Sequence, residues 1–308
     1  MLVRLLAIGW RLELLLKIYI NCMSYNLILN SNNAVTNNTY RYNFINGFTI
    51  LDEAEICISQ IQIPYSWYNI TQAYNNNFFE YVWLSVAYPV SIPDGFYTVT
   101  DINAFMQQTM ILNNHYLIDS TGNYVYYLTI LYNTTTYGVQ IVSTLIPTSL
   151  PSGYTAPVGF VFPAITQCPQ FIVENDNNFG IIIGFVFGFY PTVSTANASI
   201  LNTLIPLGTN VNSLVVRCSL VDNSIGVPTD ILDVLPINNT FGSNINYQPY
   251  ALKWIKLTSG VFQYLTIYFT DQNFNTIAIQ DTNVTISILI NNKGNIPKLI
   301  NSIESNGN

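Results

Sequence analysis

The catalytic options of this chain turn on one histidine, His115, in the string Asn113-Asn114-His115-Tyr116. A Ser-His-Asp or Cys-His scheme must use it, and a His-Glu-x-x-His zinc site would need a second. No nucleophile motif lies near it, so His115 reads as a loop or helix-cap residue. The chain has no GxSxG, no GxxxxGK[ST], and no GxGxxG after a strand. Glycoside hydrolysis asks for two carboxylates across a cleft. The candidates are Asp52, Glu53 and Glu55, and Asp222, Asp230 and Asp233. The first three sit at a strand start, where solvated acids are ordinary. The second three flank an expected helical turn, whose N-terminus favours acids. Asp271-Gln272-Asn273-Phe274-Asn275 opens like a calcium loop, but Thr276 stands where that loop needs glycine and Thr282 where it needs an acid. A hairpin turn is the better reading. Cys22, Cys57, Cys168 and Cys218 are widely spaced with no CxxC, which fits free buried thiols better than a disulfide framework. The sequence thus predicts no catalytic step, no cofactor and no metal site.

The elements that must position these residues are strands. Hydrophobic residues make up 50% of the 308-residue chain and aromatics 14%, against 8% charged. A soluble domain carries about 25% charged residues. Asn, Thr, Ser, Gln and Tyr must therefore supply the polar surface, which repels its neighbours weakly and suits a protein packed against other subunits. A net charge of −7 argues against direct nucleic-acid binding. Sequons at Asn37, Asn69, Asn133, Asn197, Asn238 and Asn283 are expected by chance in a chain so rich in Asn and Thr.

About eleven strands are expected: 25–29, 40–44, 54–63, 79–90, 124–132, 137–145, 180–190, 214–221, 250–257, 262–270 and 284–290. Isoleucines 56, 58, 61 and 63 change parity near 59–60, which predicts a bulge. One helix, capped by Thr100 or Asp101, places Ile102, Phe105, Met106, Thr109 and Met110 on one face and stops at Asn113 and Asn114. A short helical turn is expected over 229–235. Gly180–Pro191, uncharged and too short to span a bilayer as a helix, reads as a buried strand. Prolines 147, 151, 157, 163 and 169 mark a long extended excursion between strands. No linker separates two domains, so one β domain over residues 23–295 with an excursion at 147–169 is the simplest architecture, followed by a polar tail at 296–308.

Residues 1–22 form a leader of different composition. Arg4, Arg11, Glu13 and Lys17 interrupt its apolar run, against both a signal peptide and a transmembrane helix. An amphipathic helix pairing Glu13 with Lys17 is one reading, and translation starting at Met23 is the plainest.

Several strings occur in a telling order: Ile61-Gln62-Ile63-Pro64-Tyr65-Ser66-Trp67-Tyr68-Asn69-Ile70, then Ile92-Pro93-Asp94-Gly95-Phe96-Tyr97-Thr98-Val99-Thr100-Asp101-Ile102-Asn103, then Val215 to Asn223 with Asp230-Ile231-Leu232, and finally Ile267 to Asn273 and Asp281 to Ile290. This ordered set resembles the penton, or minor (vertex) capsid, proteins of virophages and polinton-like double-stranded DNA viruses, from Met23 to about Asn291. The resemblance implies a jelly-roll fold; with the strands, lone helix and excursion read above, the expected fold class is an all-β single jelly-roll sandwich with one short helix and a loop-rich insertion, the leader and the proline-spaced excursion being departures from the family. The resemblance also implies a homopentamer at the five-fold vertices of an icosahedral virion, contacts with neighbouring major capsid capsomers, and assembly in the host cytoplasm. It implies nothing about an inner membrane. The competing readings are a major capsid protein with two rolls, which needs about sixteen strands, a lectin-like or receptor-binding sandwich, and a β-sandwich hydrolase with two facing carboxylates. N-terminal sequencing of purified protein tests the start: a mature chain beginning at Met23 is expected, and one beginning at Met1 contradicts it.

Overall fold

The computed structural model describes residues 22–208 and 211–293. The expectations for the leader before Cys22 and for the tail at 296–308 lie outside the described residues. Four strands come first: β1 (Cys22–Leu29), β2 (Ala34–Thr36), β3 (Thr39–Ile50) and β4 (Glu55–Pro64). Next come β5 (Phe78–Trp83), β6 (Val86–Ser91), helix α1 (Val99–Leu112), β7 (Leu117–Ile118), β8 (Tyr124–Val125), β9 (Leu128–Asn133) and β10 (Gly138–Ser143). They are followed by β11 (Gln170–Val173), helix α2 (Phe179–Ile183), β12 (Gly188–Tyr190) and β13 (Ala198–Leu201). The chain closes with β14 (Ser213–Cys218), β15 (Ile231–Pro236), β16 (Asn244–Tyr247), β17 (Ile255–Lys256), β18 (Gly260–Thr270) and β19 (Thr285–Lys293).

These elements fall into two compact units, one comprising the chain through Trp67 and from Val211, the other running from Tyr68 to residue 210. The sequence reading expects one domain. The structure instead places a second unit between β4 and β14, and the proline-spaced excursion is only part of it.

The first unit is a jelly roll by strand order. One sheet runs β1-β19-β4-β16, with β17 also on β4; the other runs β15-β14-β18-β3-β2. Setting aside the short β2 and β17, eight strands remain. Counted along the chain, the first, eighth, third and sixth form one sheet, and the fifth, fourth, seventh and second form the other. All these pairings are antiparallel, as a double-sheet roll requires. Alternation supplies the buried faces: Ile286, Ile288 and Ile290 from β19, and Leu265, Ile267 and Phe269 from β18. The parity change in β4 is a bulge. Its partner register steps from Gln60 to Ile58 across Ser287–Ile288, leaving Ser59 over. Ser59 Oγ then donates to the Ser287 carbonyl at 3.0 Å and lies 2.8 Å from Ser287 Oγ.

The second unit holds a four-stranded sheet, β12-β11-β5-β6, a three-stranded sheet, β13-β10-β9, and the β7–β8 pair. Helix α1 covers the core between them with Ile102, Met106 and Met110. Its cap is Thr98, two or three residues before the expected one. Asp101 stands at N3 and closes a capping box by accepting from the Thr98 backbone N–H at 2.8 Å.

Three local expectations change. Residues 79–90 are a hairpin rather than one strand: Leu84 and Ser85 both take positive φ, the left-handed pair of a tight hairpin turn, without the usual Asn-Gly signature. The 229–235 turn is strand β15, because Leu232 and Leu235 pack inward while Asp230 pairs with Arg217 instead of capping a helix. The apolar run 180–190 opens as α2, capped by Gly184 at φ +75°, and only its end is strand. Two glycines permit this. A Cβ on Gly180 would collide with the Phe185 carbonyl oxygen and lie 2.6 Å from Val173 Cγ1. A Cβ on Gly184 would meet the Leu204 carbonyl oxygen.

Gly180→Ala is therefore expected to destabilise the second unit by about 1–3 kcal/mol through overpacking. Gly208→Ala, which meets no atom within 4 Å, serves as the neutral control. Urea unfolding of both variants checks this; equal midpoints would contradict it.

Candidate interaction surface

The structure disperses the candidate acids of the sequence into structural roles. Asp230 accepts from Arg217 Nε at 2.9 Å and Nη2 at 2.6 Å, and also from the Tyr268 hydroxyl. Burial pushes its carboxyl up, but hydrogen bonds from Arg217 and Tyr268 and the Arg217 charge outweigh that and hold it below the usual range. Asp233 is buried and binds Lys253 at 2.7 Å and the Tyr247 hydroxyl at 2.7 Å. Both carboxylates are thus held in ion pairs. Asp52 and Glu53 lie in an exposed turn ahead of β4. Asp271 closes a tight turn, accepting from the backbone N–H groups of Asn273 and Asn275 at 2.8 Å each. Cys57, Cys168 and Cys218 are buried free thiols. Among the described residues no cluster of three His, Cys, Asp or Glu is arranged to hold a metal ion.

His115 follows the helix as expected, and its backbone N–H donates to the Met110 carbonyl at 2.9 Å. Its side chain, however, belongs to the core, with 6% exposure. It stacks on Trp83 at 4.5 Å, meets Tyr88 edge-on at 4.6 Å, and sets Nδ1 2.9 Å from the Tyr81 hydroxyl. Burial drops its pKa to about 4. The ring is thus a neutral packing group in an aromatic cage, ill suited to proton transfer with an outside substrate.

Asn69, one of the sequons, is buried too. Its Nδ2 donates to the carbonyls of Tyr97 (2.8 Å) and Gly208 (2.7 Å), and its Oδ1 accepts from the Tyr97 N–H at 2.8 Å. A folded chain cannot offer that amide to a glycan.

What sequence reasoning missed is a carboxyl pair on the outer face of the β12-β11-β5-β6 sheet. In β5, Phe79, Tyr81 and Trp83 point into the core, which turns Glu80 and Val82 to the other face. In β11, Ile172 lies opposite Glu80 in the ladder. Glu174, two residues on, lines the same depression as Glu80. Burial first, then the Glu80 and Asp176 charges, raise the Glu174 carboxyl above its ordinary range. Together with Phe187 and Phe189, exposed at 59% and 45%, these residues line an open depression of about 550 Å³.

The second unit also contains no lysine or arginine. Its carboxylates are Glu80, Asp94, Asp101, Asp119, Glu174 and Asp176, and its one histidine is the buried neutral one. That blank was visible in the sequence and is the signal that could have marked the unit. No cation within the unit can offset the Glu80–Glu174 face.

No family model matches the chain, and no curated protein does. Among solved structures it is similar to the "Crystal structure of SeMet-labeled mavirus penton protein", over 88% of this chain and 98% of that one, at 10% identity and a TM-score of 0.43. Superposition at that level does not establish a common fold; the jelly roll follows from the strand order above.

The cage makes a pH prediction. The folded pKa of His115, about 4, lies below the unfolded value near 6.5, so the unfolded chain binds the extra proton first. This contribution is fully present above pH 6.5 and declines as pH falls towards 4, by at most about 3 kcal/mol. Urea midpoints at pH 7.5 and 4.5 should differ more for the wild type than for His115→Phe. An equal drop in both would contradict the assignment.

Proposed function

We propose that this chain is a structural capsid protein and not an enzyme, forming the pentameric capsomer at the five-fold vertices of a virion. The observation that carries the reading is a charge-poor chain, built on a jelly roll, that exposes large apolar side chains. Ile45, Val158 and Ile225 stand 90%, 97% and 95% exposed. Val227, Tyr250 and Ile165 are also well exposed. Scattered apolar residues are normal on a monomer, but here they accompany a chain only 8% charged. Such a surface is adapted to neighbours. A roll repeated around an axis needs a contact that differs on its two sides and closes as a ring. Tyrosine hydroxyls and amides satisfy one another there without burying unpaired charge. The partners are further copies of the chain and the surrounding major capsid capsomers, and assembly takes place in the host cytoplasm.

The roll bears on the competing readings. Only the first unit has the strand order of a roll; the second unit's sheets, β12-β11-β5-β6 and β13-β10-β9, do not repeat it, against the two rolls of a double-roll major capsid protein. In the proline-spaced excursion Phe160 packs against the core and Phe162 packs on Phe160, so the exposed groups there are aliphatic rather than the aromatic platforms a sugar-binding surface uses.

Mass photometry and negative-stain imaging of the pure protein test the reading. Closed five-membered rings, or a concentration-dependent approach to them, are expected. A monomer under all conditions, together with absence from purified virions, would overturn it.

A further inference from the structure

We propose that the outer face of the β12-β11-β5-β6 sheet, with Glu80 and Glu174 between Phe187 and Phe189, is the seat for Lys256 of a second copy of this chain. The inference rests on the reading of the chain as a self-assembling structural protein and specifies one contact of that assembly.

The argument is one of charge complementarity. The face carries two carboxyls, Glu80 and Glu174, and the exposed rings of Phe187 and Phe189 around one depression, and Asp176 adds further negative charge near Glu174. A cover that brings a cation neutralises this face, since the unit itself has neither lysine nor arginine. Leaving the carboxyls covered and unpaired would cost several kcal/mol. The flanking rings narrow the choice to a cation carried on an apolar strip.

The described residues offer one. Among the described cations outside this unit, Arg217 and Lys253 are committed to Asp230 and Asp233. Arg41 lies over the Tyr264 ring at 4.4 Å. Lys256 is exposed in β17, opposite Glu55 in the ladder but in no ion pair with it. Just before it come Tyr250, Leu252 and Trp254, all exposed. The chain therefore displays an acid-and-phenyl face on one unit and a lysine-and-apolar strip on the other. Two such different patches make a head-to-tail contact, the kind that generates rings. Lysine placed between two carboxylates neutralises their repulsion, while its stem and the neighbouring apolar groups cover Phe187 and Phe189.

The test is a charge exchange read by mass photometry and sedimentation velocity on the full chain. Reversing the face (Glu80→Lys with Glu174→Lys) or the strip (Lys256→Glu) should each weaken association about tenfold or more. Combining all three substitutions should restore it. Circular dichroism melts check that each variant folds. Lys256 is exposed, so its reversal, paired with the mild Glu174→Gln, keeps the test in force should the double reversal not fold. Wild-type assembly that is indifferent to every variant would overturn this contact and leave the capsomer reading standing. Loss of assembly in both reversals without recovery in the combination would overturn direct pairing and point to a different partner on the face. A wild type that never associates would overturn the capsomer reading itself.

Discussion

The roll depends on pairing between the two ends of the described chain. β1 runs against β19 from Cys22 opposite Lys293 to Leu29 opposite Ile286, β3 runs against β18, and β4 against β19. No local hairpin can stand in for these ladders, and each closes a loop of two hundred residues or more at an entropic cost that grows only slowly with length. That slow growth is why an entire second unit can sit between β4 and β14. The roll tolerates it as it would a long loop, provided the unit folds on its own core, which Phe79, Phe171, Phe179 and the α1 methionines supply. Such distant pairing also makes for slow folding.

Within that frame, neutral amides do much of the work that charges do elsewhere. Asn292 at the end of β19 accepts from the Leu51 N–H and donates to the Thr49 carbonyl, tying the last strand to the end of β3. Asn38 donates to the Phe269 carbonyl. Asn76 accepts from the Thr71 N–H and donates to the Asn69 carbonyl, and Asn69 in turn fixes Tyr97 and Gly208. A buried amide with its donors and acceptor matched holds loops in place at a lower desolvation cost than an ion pair. The asparagines of the sequence are thus internal fasteners as well as polar surface, which is how so few charges suffice.

Period-two patterns made much of the roll legible. β4 with its bulge at Ser59 and β19 with 284, 286 and 288 on one face read directly from isoleucine spacing, and the single long helix read from Ile102, Met106 and Met110. What failed did so for local reasons. The 84–85 turn uses Leu and Ser in a conformation normally announced by Asn-Gly. The 180–190 run is equally apolar as helix or strand, and two tight glycine contacts decide it. The domain boundary carries no linker, because an insertion leaves and re-enters between strands of one fold. Glu80 and Glu174 lie about ninety residues apart, and only the β5–β11 ladder joins them. The absence of lysine and arginine from 68–210 was in plain view, but it gains meaning only once those residues form one body.

The proposed structural role draws on chemistry that is used up and surface that is not. The histidine is a packing group, the sequence's candidate acids are paired, solvated or turn-forming, and the thiols of Cys57, Cys168 and Cys218 are buried. What remains outward is apolar surface and one acidic, cation-free unit. Hydrogen exchange, compared between associated and dissociated protein, tests this most directly. The account predicts new protection at residues 80–89, 170–174 and 186–190, matched by protection at 250–257. Protection confined to other segments, or none on association, would contradict it.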